Sequence, residues 1–438
     1  MRILTLRSRL FGNAAIYLGA NVLNAGIPFL LLPILTRVLT TSDYGTVSMF
    51  AIVLSVLGAF TGLSVHGAVS VRYFQLGKNE LSQYVGTCIG ILVASTTVVF
   101  IIIATFGSWL SVVSGVPAEW LLVATVLSCF QFIGNIQLSL WQAAGQAIKY
   151  GAFQISQSLF NAGFSLILIL MVGLAWQGRV LGQTMAIGIF GFLALWRLSI
   201  DGWLKRPITW RTQSLDALKF GIPLIPHVIG GLIIATAGQF LVTNMFGISE
   251  TGIYVAGAQI GSAMGLISDA FAKSYGPWMY EKLRDDSVAG RHFIVGVTYY
   301  IFLVFLVFSA IASIGIFIIF PYIVGDDFLR AKYLTTFFIF GNGFVGMYYA
   351  VAGFFFYSSK TKFVSIVTIS SGIISILAMW YFGQWLGPRG VALGYFFSQV
   401  IMFLLAWFVS SLVYPMPWLQ FRYALAAVSS AQSKSKSV

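Results

Sequence analysis

The chain has 438 residues, 58% of them hydrophobic and only 8% charged, with a formal net charge of +13. Soluble domains carry about 25% charged residues, so this composition, with a mean hydropathy of +0.90, excludes a water-facing surface over such a length. An all-α polytopic membrane protein is the class that remains.

A helix needs about 20 mostly apolar residues to cross a bilayer. Twelve such stretches are predicted, at 11–35, 44–70, 83–106, 118–140, 152–172, 180–198, 218–242, 252–272, 293–320, 334–357, 363–382 and 391–412. Arg2, Arg7 and Arg9 precede the first of them. That run is too long for the apolar core of a signal peptide and is expected to stay as an uncleaved span. The expected organisation is an N-terminal six-helix bundle over 1–200, a cytoplasmic linker at 201–217 and a C-terminal six-helix bundle over 218–413. A cytoplasmic tail at 414–438 ends in SSAQSKSKSV and is expected to be disordered there. Both bundles are expected to flank a central cavity.

Orientation follows from the basic residues. With the N-terminus placed in the cytoplasm, 20 of the 25 Lys and Arg fall on the cytoplasmic side. Arg37, Arg179, Arg330, Lys332 and Arg389 make up the far side. This asymmetry is the positive-inside rule, and it accounts for the positive charge without nucleic acid. Tryptophans such as Trp109, Trp120, Trp176 and Trp385 fall near span ends, as interfacial residues do. Cys88 and Cys129 lie inside apolar runs and read as small buried hydrophobes.

The chain repeats itself. LTRVLTTSDYG at 35–45 lies over VTNMFGISETG at 242–252 with an offset of 207, matching Thr36 to Thr243, Ser42 to Ser249, Asp43 to Glu250 and Gly45 to Gly252. Gly178-x-x-Leu181-Gly182 likewise corresponds to Gly390-x-x-Leu393-Gly394. A half-chain period is a transporter signature, and an even number of spans per half implies repeats related by an axis along the membrane normal.

NAAIYLGANVLNAGIPFLLLPILTRVLTTSDYGTVSMF, GLSVHGAVSVRYF, LKFGIPLIP and ETGIYVAGAQIGSAMGLISDAFAKSYGPWMYEKL occur in that order. Together they resemble the oligosaccharide flippase family, the polysaccharide-export branch of the multidrug/oligosaccharidyl-lipid/polysaccharide exporter superfamily. The resemblance implies two six-helix bundles with a V-shaped cavity. It also implies translocation of undecaprenyl-diphosphate-linked oligosaccharide, O-antigen or another surface polysaccharide unit, between leaflets of the bacterial inner membrane. Many relatives carry an acidic-basic pair after the seventh apolar run, where this chain has Gln239-Phe240.

Ionisable residues within spans are costly and mark candidate sites. Asp269 is the one acid placed inside a span, a candidate for H⁺ or Na⁺ coupling or else an i,i+4 partner of Lys273. His66 and His227 lie in the cytoplasmic halves of the second and seventh spans, where a histidine senses protons, binds phosphate or joins helices. Arg72, Lys149, Lys273 and Arg291 at cytoplasmic ends suit a diphosphate, or anchor the topology. Asn21, Asn24 and Gln239 suit a sugar passing through a wet cavity, or serve as interhelical glue. Arg37 and Asp43 flank the first far-side turn, as a surface ion pair or a periplasmic gate.

Enzyme readings lack their residues. The acidic doublets Asp285-Asp286 and Asp326-Asp327 fall on opposite faces, and the chain has no HExxH, no cysteine cluster and no P-loop. No metal or cofactor is expected. The partners expected are lipid-linked oligosaccharide, membrane lipid, a coupling ion, and polysaccharide polymerase and chain-length machinery. The expected function is an ion-coupled flippase working by alternating access. The alternatives are a cation-coupled multidrug exporter of the same superfamily and a membrane glycosyltransferase or polymerase.

Overall fold

The computed structural model describes the backbone of residues 2–284, 287–358, 360, 362–420 and 423, and within these the side chains from 19 onward apart from those at 21 and 227. No strand occurs among the described residues. The helices are α1 (Arg2–Val38), α2 (Thr41–Phe60), α3 (His66–Arg72), α4 (Lys78–Ser114), α5 (Ala118–Ala143), α6 (Ala147–Leu170) and α7 (Trp176–Ile200). They continue as α8 (Trp210–Gly221), α9 (Leu224–Phe246), α10 (Ile248–Leu283), α11 (Val288–Ile323), α12 (Lys332–Tyr357), α13 (Lys362–Leu386) and α14 (Pro388–Val413). Taking α2 with α3 and α8 with α9 gives the twelve rods that the hydropathy predicts. Among the described residues, ten of these are long and apolar enough to cross a membrane. The described part of α1 adds an apolar stretch at Val22–Val38, and α10 carries Asp269 and Lys273. The chain is a multi-pass membrane protein.

Short turns reverse the rods. The end of the molecule that bears the α1–α2 turn is called the far end below, and the opposite one the near end. Gly173 (φ 77°) in the α6–α7 turn and Gly387 (φ 63°) in the α13–α14 turn both have the positive φ that glycine adopts without steric cost. Each is followed by one of the paired glycine motifs. A Cβ on Gly182 would lie 2.4 Å from the Ser165 nitrogen, and one on Gly394 would lie 2.5 Å from the Met379 nitrogen. Both hairpins therefore close through bare backbone, which is how membrane helices gain contact where lipid removes the hydrophobic drive. The internal repeat is thus visible in packing as well as in sequence.

The structure divides into two compact units, Met1–Gly252 and Ile253–Val438. The boundary expected at 201–217 is displaced because the linker is fastened to the first unit. Ser82 Oγ donates to the Gly202 carbonyl (2.9 Å), Lys205 Nζ to Asn79 Oδ1 (2.9 Å) and Thr87 Oγ1 to Gln213 Oε1 (2.8 Å). A Cβ on Gly86 would meet the Lys205 carbonyl oxygen at 2.0 Å, so the strap lies directly on α4. Its second half is the helix α8 rather than a loop.

Two apolar cores stand out among the described residues of the first unit. One joins Met49, Phe50 and Leu54 of α2 to Leu121 and Leu127 of α5 and Val180 of α7. The other joins Val65, Val85 and Cys88 to Phe132, Ile136 and Leu198. In the second unit Met279, Phe302, Phe305, Phe354, Phe355 and Phe403 form a single core. Cys88 and Cys129 are free thiols, as expected. After α14 the chain is tied back to α11. The Tyr299 hydroxyl donates to the Trp418 carbonyl, and Arg291 lies over the Tyr414 ring at 5.8 Å. The Ser/Lys-rich end of the tail lies outside the described residues.

One expectation fails inside the second span, which is read from the sequence as a continuous helix over 44–70. The helix breaks at Thr61–Ser64, where Gly62, Leu63 and Ser64 all have positive φ (73°, 48° and 56°). For Leu63 and Ser64 this costs about 1–3 kcal/mol each. Neighbours hold the break in place: the Gly62 N–H donates to Ser95 Oγ (2.8 Å). The Phe132 ring occupies the space a Cβ on Gly62 would need, 2.2 Å from it, and Gly221 lets α8 press onto the Leu63 carbonyl.

Candidate functional site

At the far end of the first unit the two repeated hairpins meet. Asp43 sits in the first turn of α2, where its carboxylate accepts from the Thr40 N–H (3.1 Å) and hydroxyl (2.6 Å), while Thr40 Oγ1 accepts from the Asp43 N–H. This capping box fixes where α2 starts. It also uses Asp43 locally: Arg37 donates to the Pro33 carbonyl (2.6 Å), and the ion pair expected between Arg37 and Asp43 does not form. The carboxylate closes its helix cap at shorter range than Arg37 reaches.

One turn on, Gly45 of α2 lies against Gly252 of α10, its counterpart in the repeat. A Cβ on Gly45 would meet the Ile248 carbonyl oxygen at 2.1 Å, and one on Gly252 would meet the Thr41 carbonyl oxygen at 1.9 Å. Thr41 and Ile248 are themselves repeat equivalents, so each helix start touches the other through matching atoms. Two polar bonds reinforce the crossing, Thr41 Oγ1 to Ser249 Oγ (2.7 Å) and Ser48 Oγ donating to Gln239 Oε1 (2.7 Å). Gln239, a candidate for sugar contact, is therefore also the residue by which α9 holds α2.

Beside this crossing sits a cation that the sequence reading only counts among the far-side basic residues. Arg179, in the first turn of α7, donates from Nη1 to Asn161 Oδ1 and to Ser165 Oγ (2.9 Å) on α6. It is within electrostatic reach of the buried Tyr44.

The near end of the first unit is arranged differently. Arg72 closes α3, and its guanidinium grips Asp216 of α8 through two parallel bonds, Nε to Oδ2 (2.9 Å) and Nη2 to Oδ1 (2.5 Å). The Tyr84 hydroxyl donates to the same carboxylate (2.9 Å), and Arg72 Nη1 reaches Gln75 Oε1. The Asp216 hydrogen bonds hold the Arg72 pKa above the usual arginine value. Lys149, at the start of α6, is exposed and has no ion-pair partner among the described residues. His66 stands just past the helix break, its ring edge-on to Phe132 (5.3 Å) with Nδ1 buried and unpartnered. Asn24 Oδ1 is likewise buried without a partner. The side chains of Asn21 and His227 lie outside the described residues.

In the second unit Asp269 and Lys273 form the i,i+4 pair (2.5 Å), both more than half exposed. Arg291 donates to the Pro415 carbonyl (3.5 Å) as it stacks on Tyr414, so it fastens the segment after α14. The structure thus brings Arg37, Asp43 and Gln239 to the far end of one unit and Arg72, His66 and Lys149 toward its near end. Lys273, Asp269 and Arg291 belong to the other unit. No cluster of His, Cys, Asp or Glu able to hold a metal occurs among the described residues.

Sequence and structure comparisons bear on this arrangement. Residues 10–281 match the family model described as polysaccharide biosynthesis protein. The chain is 25% identical over 378 residues to Lsg locus putative protein 1 of Haemophilus influenzae, covering 85% of this chain and 90% of that protein. It is 26% identical over 382 residues to an uncharacterized membrane protein of the same organism, covering 84% and 89%. Among solved structures, the fold resembles the lipid II flippase MurJ in an inward closed conformation, with TM-score 0.67, 16% identity, and coverage of 97% of this chain and 91% of that one. It also resembles a single-residue mutant of the Vibrio cholerae MATE transporter VcmN, with TM-score 0.57, 14% identity, and coverage of 93% and 96%.

Proposed function

The chain belongs to the polysaccharide biosynthesis protein family, the oligosaccharide flippase branch of the multidrug/oligosaccharidyl-lipid/polysaccharide exporter superfamily, and from that premise we propose its cargo and cycle. The cargo is an oligosaccharide linked to undecaprenyl diphosphate, a unit of O-antigen or another surface polysaccharide. It moves from the cytoplasmic to the periplasmic leaflet of the bacterial inner membrane by alternating access, with both termini cytoplasmic. Family and fold support a lipid-linked flippase or exporter, a transporter rather than an enzyme.

The far-end crossing of α2 with α9 and α10 carries the mechanistic part of this reading. It is built from repeat-equivalent glycines and short hydroxyl bonds. Small residues pack closely, and hydrogen bonds between hydroxyl and amide side chains are individually modest, so the contact parts at little cost. That suits a contact made and released in every cycle. At the near end of the first unit Lys149, and Arg72 once Asp216 is displaced, meet the incoming diphosphate; Lys273 and Arg291 are the cationic candidates of the second unit. Asn24 and His66 offer buried polar atoms without partners, which suits exchange of hydrogen bonds with sugar hydroxyls. Flipping against a gradient needs an energy source, and we assign H⁺ or Na⁺ coupling to Asp269, with His227 as a second candidate.

The test is translocation in proteoliposomes of a defined undecaprenyl-diphosphate oligosaccharide, with and without imposed ion gradients. Transport of this cargo and not of cationic drugs is expected. Transport of the drugs alone assigns the chain to the drug-exporter class.

A further inference from the structure

Arg179 is placed where a cation is hard to keep. It lies in the first turn of α7, where the helix dipole favours negative charge. It is half-buried one turn inside a membrane-spanning helix, where an uncompensated charge is costly. Neither salt bridge among the described residues includes it. Its partners are two neutral side chains, and both act on the same nitrogen, Nη1. The opposite edge of the guanidinium, Nε with Nη2, has no hydrogen bond to any described residue.

Other basic residues that the charge rule assigns to the far side are handled differently. Lys332 and Arg389 lie over the Tyr333 ring at 5.0 and 4.6 Å, an arrangement that suits an interfacial anchor. Arg179 is instead turned onto α6 and held in one orientation. Asn161 accepts from Arg179, and the fully buried Ser165 ties back to the Asn161 carbonyl (2.6 Å). A guanidinium fixed along one edge and open along the other is the donor half of a bidentate bond to a carboxylate or phosphate.

We infer that Arg179, oriented by Asn161 and Ser165, is an oxyanion-binding site at the far end of the first unit, beside the Gly45–Gly252 crossing. It takes a diphosphate or an acidic-sugar carboxylate of the cargo, and so rests on the lipid-linked cargo proposed above. Its position beside the far-end crossing makes it a receiving site, occupied as the cargo leaves. An arriving anion supplies the counter-charge that the fold withholds.

The full chain in detergent or nanodiscs, titrated with sodium pyrophosphate and separately with sodium glucuronate against sodium chloride at equal ionic strength, tests this. The readouts are calorimetric binding and thermal stability. Wild type is expected to bind at least one of the two probes, and which one distinguishes diphosphate from sugar acid. Arg179→Gln, which keeps a donor for Asn161 and Ser165 but loses the charge, is expected to weaken that binding about ten- to a hundredfold. Its melting temperature without ligand should stay near that of wild type. If this variant does not fold, Arg179→Lys and Asn161→Ala carry the test. Lysine keeps the charge without the fork and should restore part of the affinity, and alanine frees the head and should weaken binding with the charge intact. Binding of neither probe by wild type, or equal binding by wild type and Arg179→Gln, overturns the site. Because both probes are soluble, binding that survives in a chain unable to translocate lipid-linked cargo removes the flippase reading and leaves the site standing.

Discussion

Two arginines at opposite ends of the first unit, Arg72 and Arg179, are treated in opposite ways. At the near end Arg72 is neutralised by Asp216, which arrives from 144 positions away on α8 and makes both bonds of a fork with it. At the far end Arg179 has no carboxylate and leans on Asn161 and Ser165, 18 and 14 positions away. From the sequence, Arg72 is the stronger candidate for an anionic headgroup, since it falls in a family-like stretch at the cytoplasmic side. Position relative to the membrane says where a cation can work. Only the packing of distant elements says whether it is already engaged.

The largest expected effect is at the far-end crossing. Gly45→Val places carbon against the Ile248 carbonyl, where even a Cβ would lie at 2.1 Å. Overpacking of this kind costs about 1–3 kcal/mol, enough to shift the balance between closed and open far ends about tenfold or more. A cysteine at Thr41 should then become more reactive toward a membrane-impermeant maleimide, and unchanged labelling would mean that the crossing does not gate.

Asp216→Asn should make Arg72 resemble Arg179. Pyrophosphate affinity at the near end is expected to rise about tenfold, while stability falls by about 1 kcal/mol or less, as for a partly exposed pair. Arg72→Ala added to Asp216→Asn should cancel the gain. A gain that survives without Arg72 would place the anion elsewhere.

Gln239→Leu removes the acceptor of Ser48. It should cost about 1 kcal/mol, seen as a lower melting temperature with cross-linking at the Thr41–Ser249 contact reduced. Smallest in stability is Asp269→Asn. Its pair with Lys273 is exposed and intrahelical, worth about 0.3–0.5 kcal/mol, so the melting temperature should hardly move while the dependence of transport on an ion gradient flattens. If the gradient dependence is retained, Asp269 is only a surface pair.

The number of the rods was legible in the sequence because apolar length is a property of single segments. The half-chain repeat was legible too, down to Gly45 and Gly252, since a glycine forced by close backbone approach leaves its mark in both copies. The helix break at 61–64 was not. Its residues TGLS continue an apolar run, and the conformation is imposed by Ser95, Phe132 and Gly221, none of them a local signal. The engagement of Asp43 in a cap follows from Thr40 three residues before it, a spacing that could have been read as a capping box. Arg179 left one trace, as a basic residue on the face that the charge rule depletes, immediately before the predicted span at 180–198.

The most direct measurement is a cross-link at the contact between the two hairpins. Thr41 Oγ1 and Ser249 Oγ are 2.7 Å apart, so cysteines at both positions, with Cys88 and Cys129 replaced, should pair on oxidation. In proteoliposomes carrying undecaprenyl-diphosphate oligosaccharide, the reduced T41C/S249C protein should translocate cargo, the oxidised protein should not, and reductant should restore transport. Translocation by the oxidised protein at the reduced rate would contradict a far end that must open in each cycle.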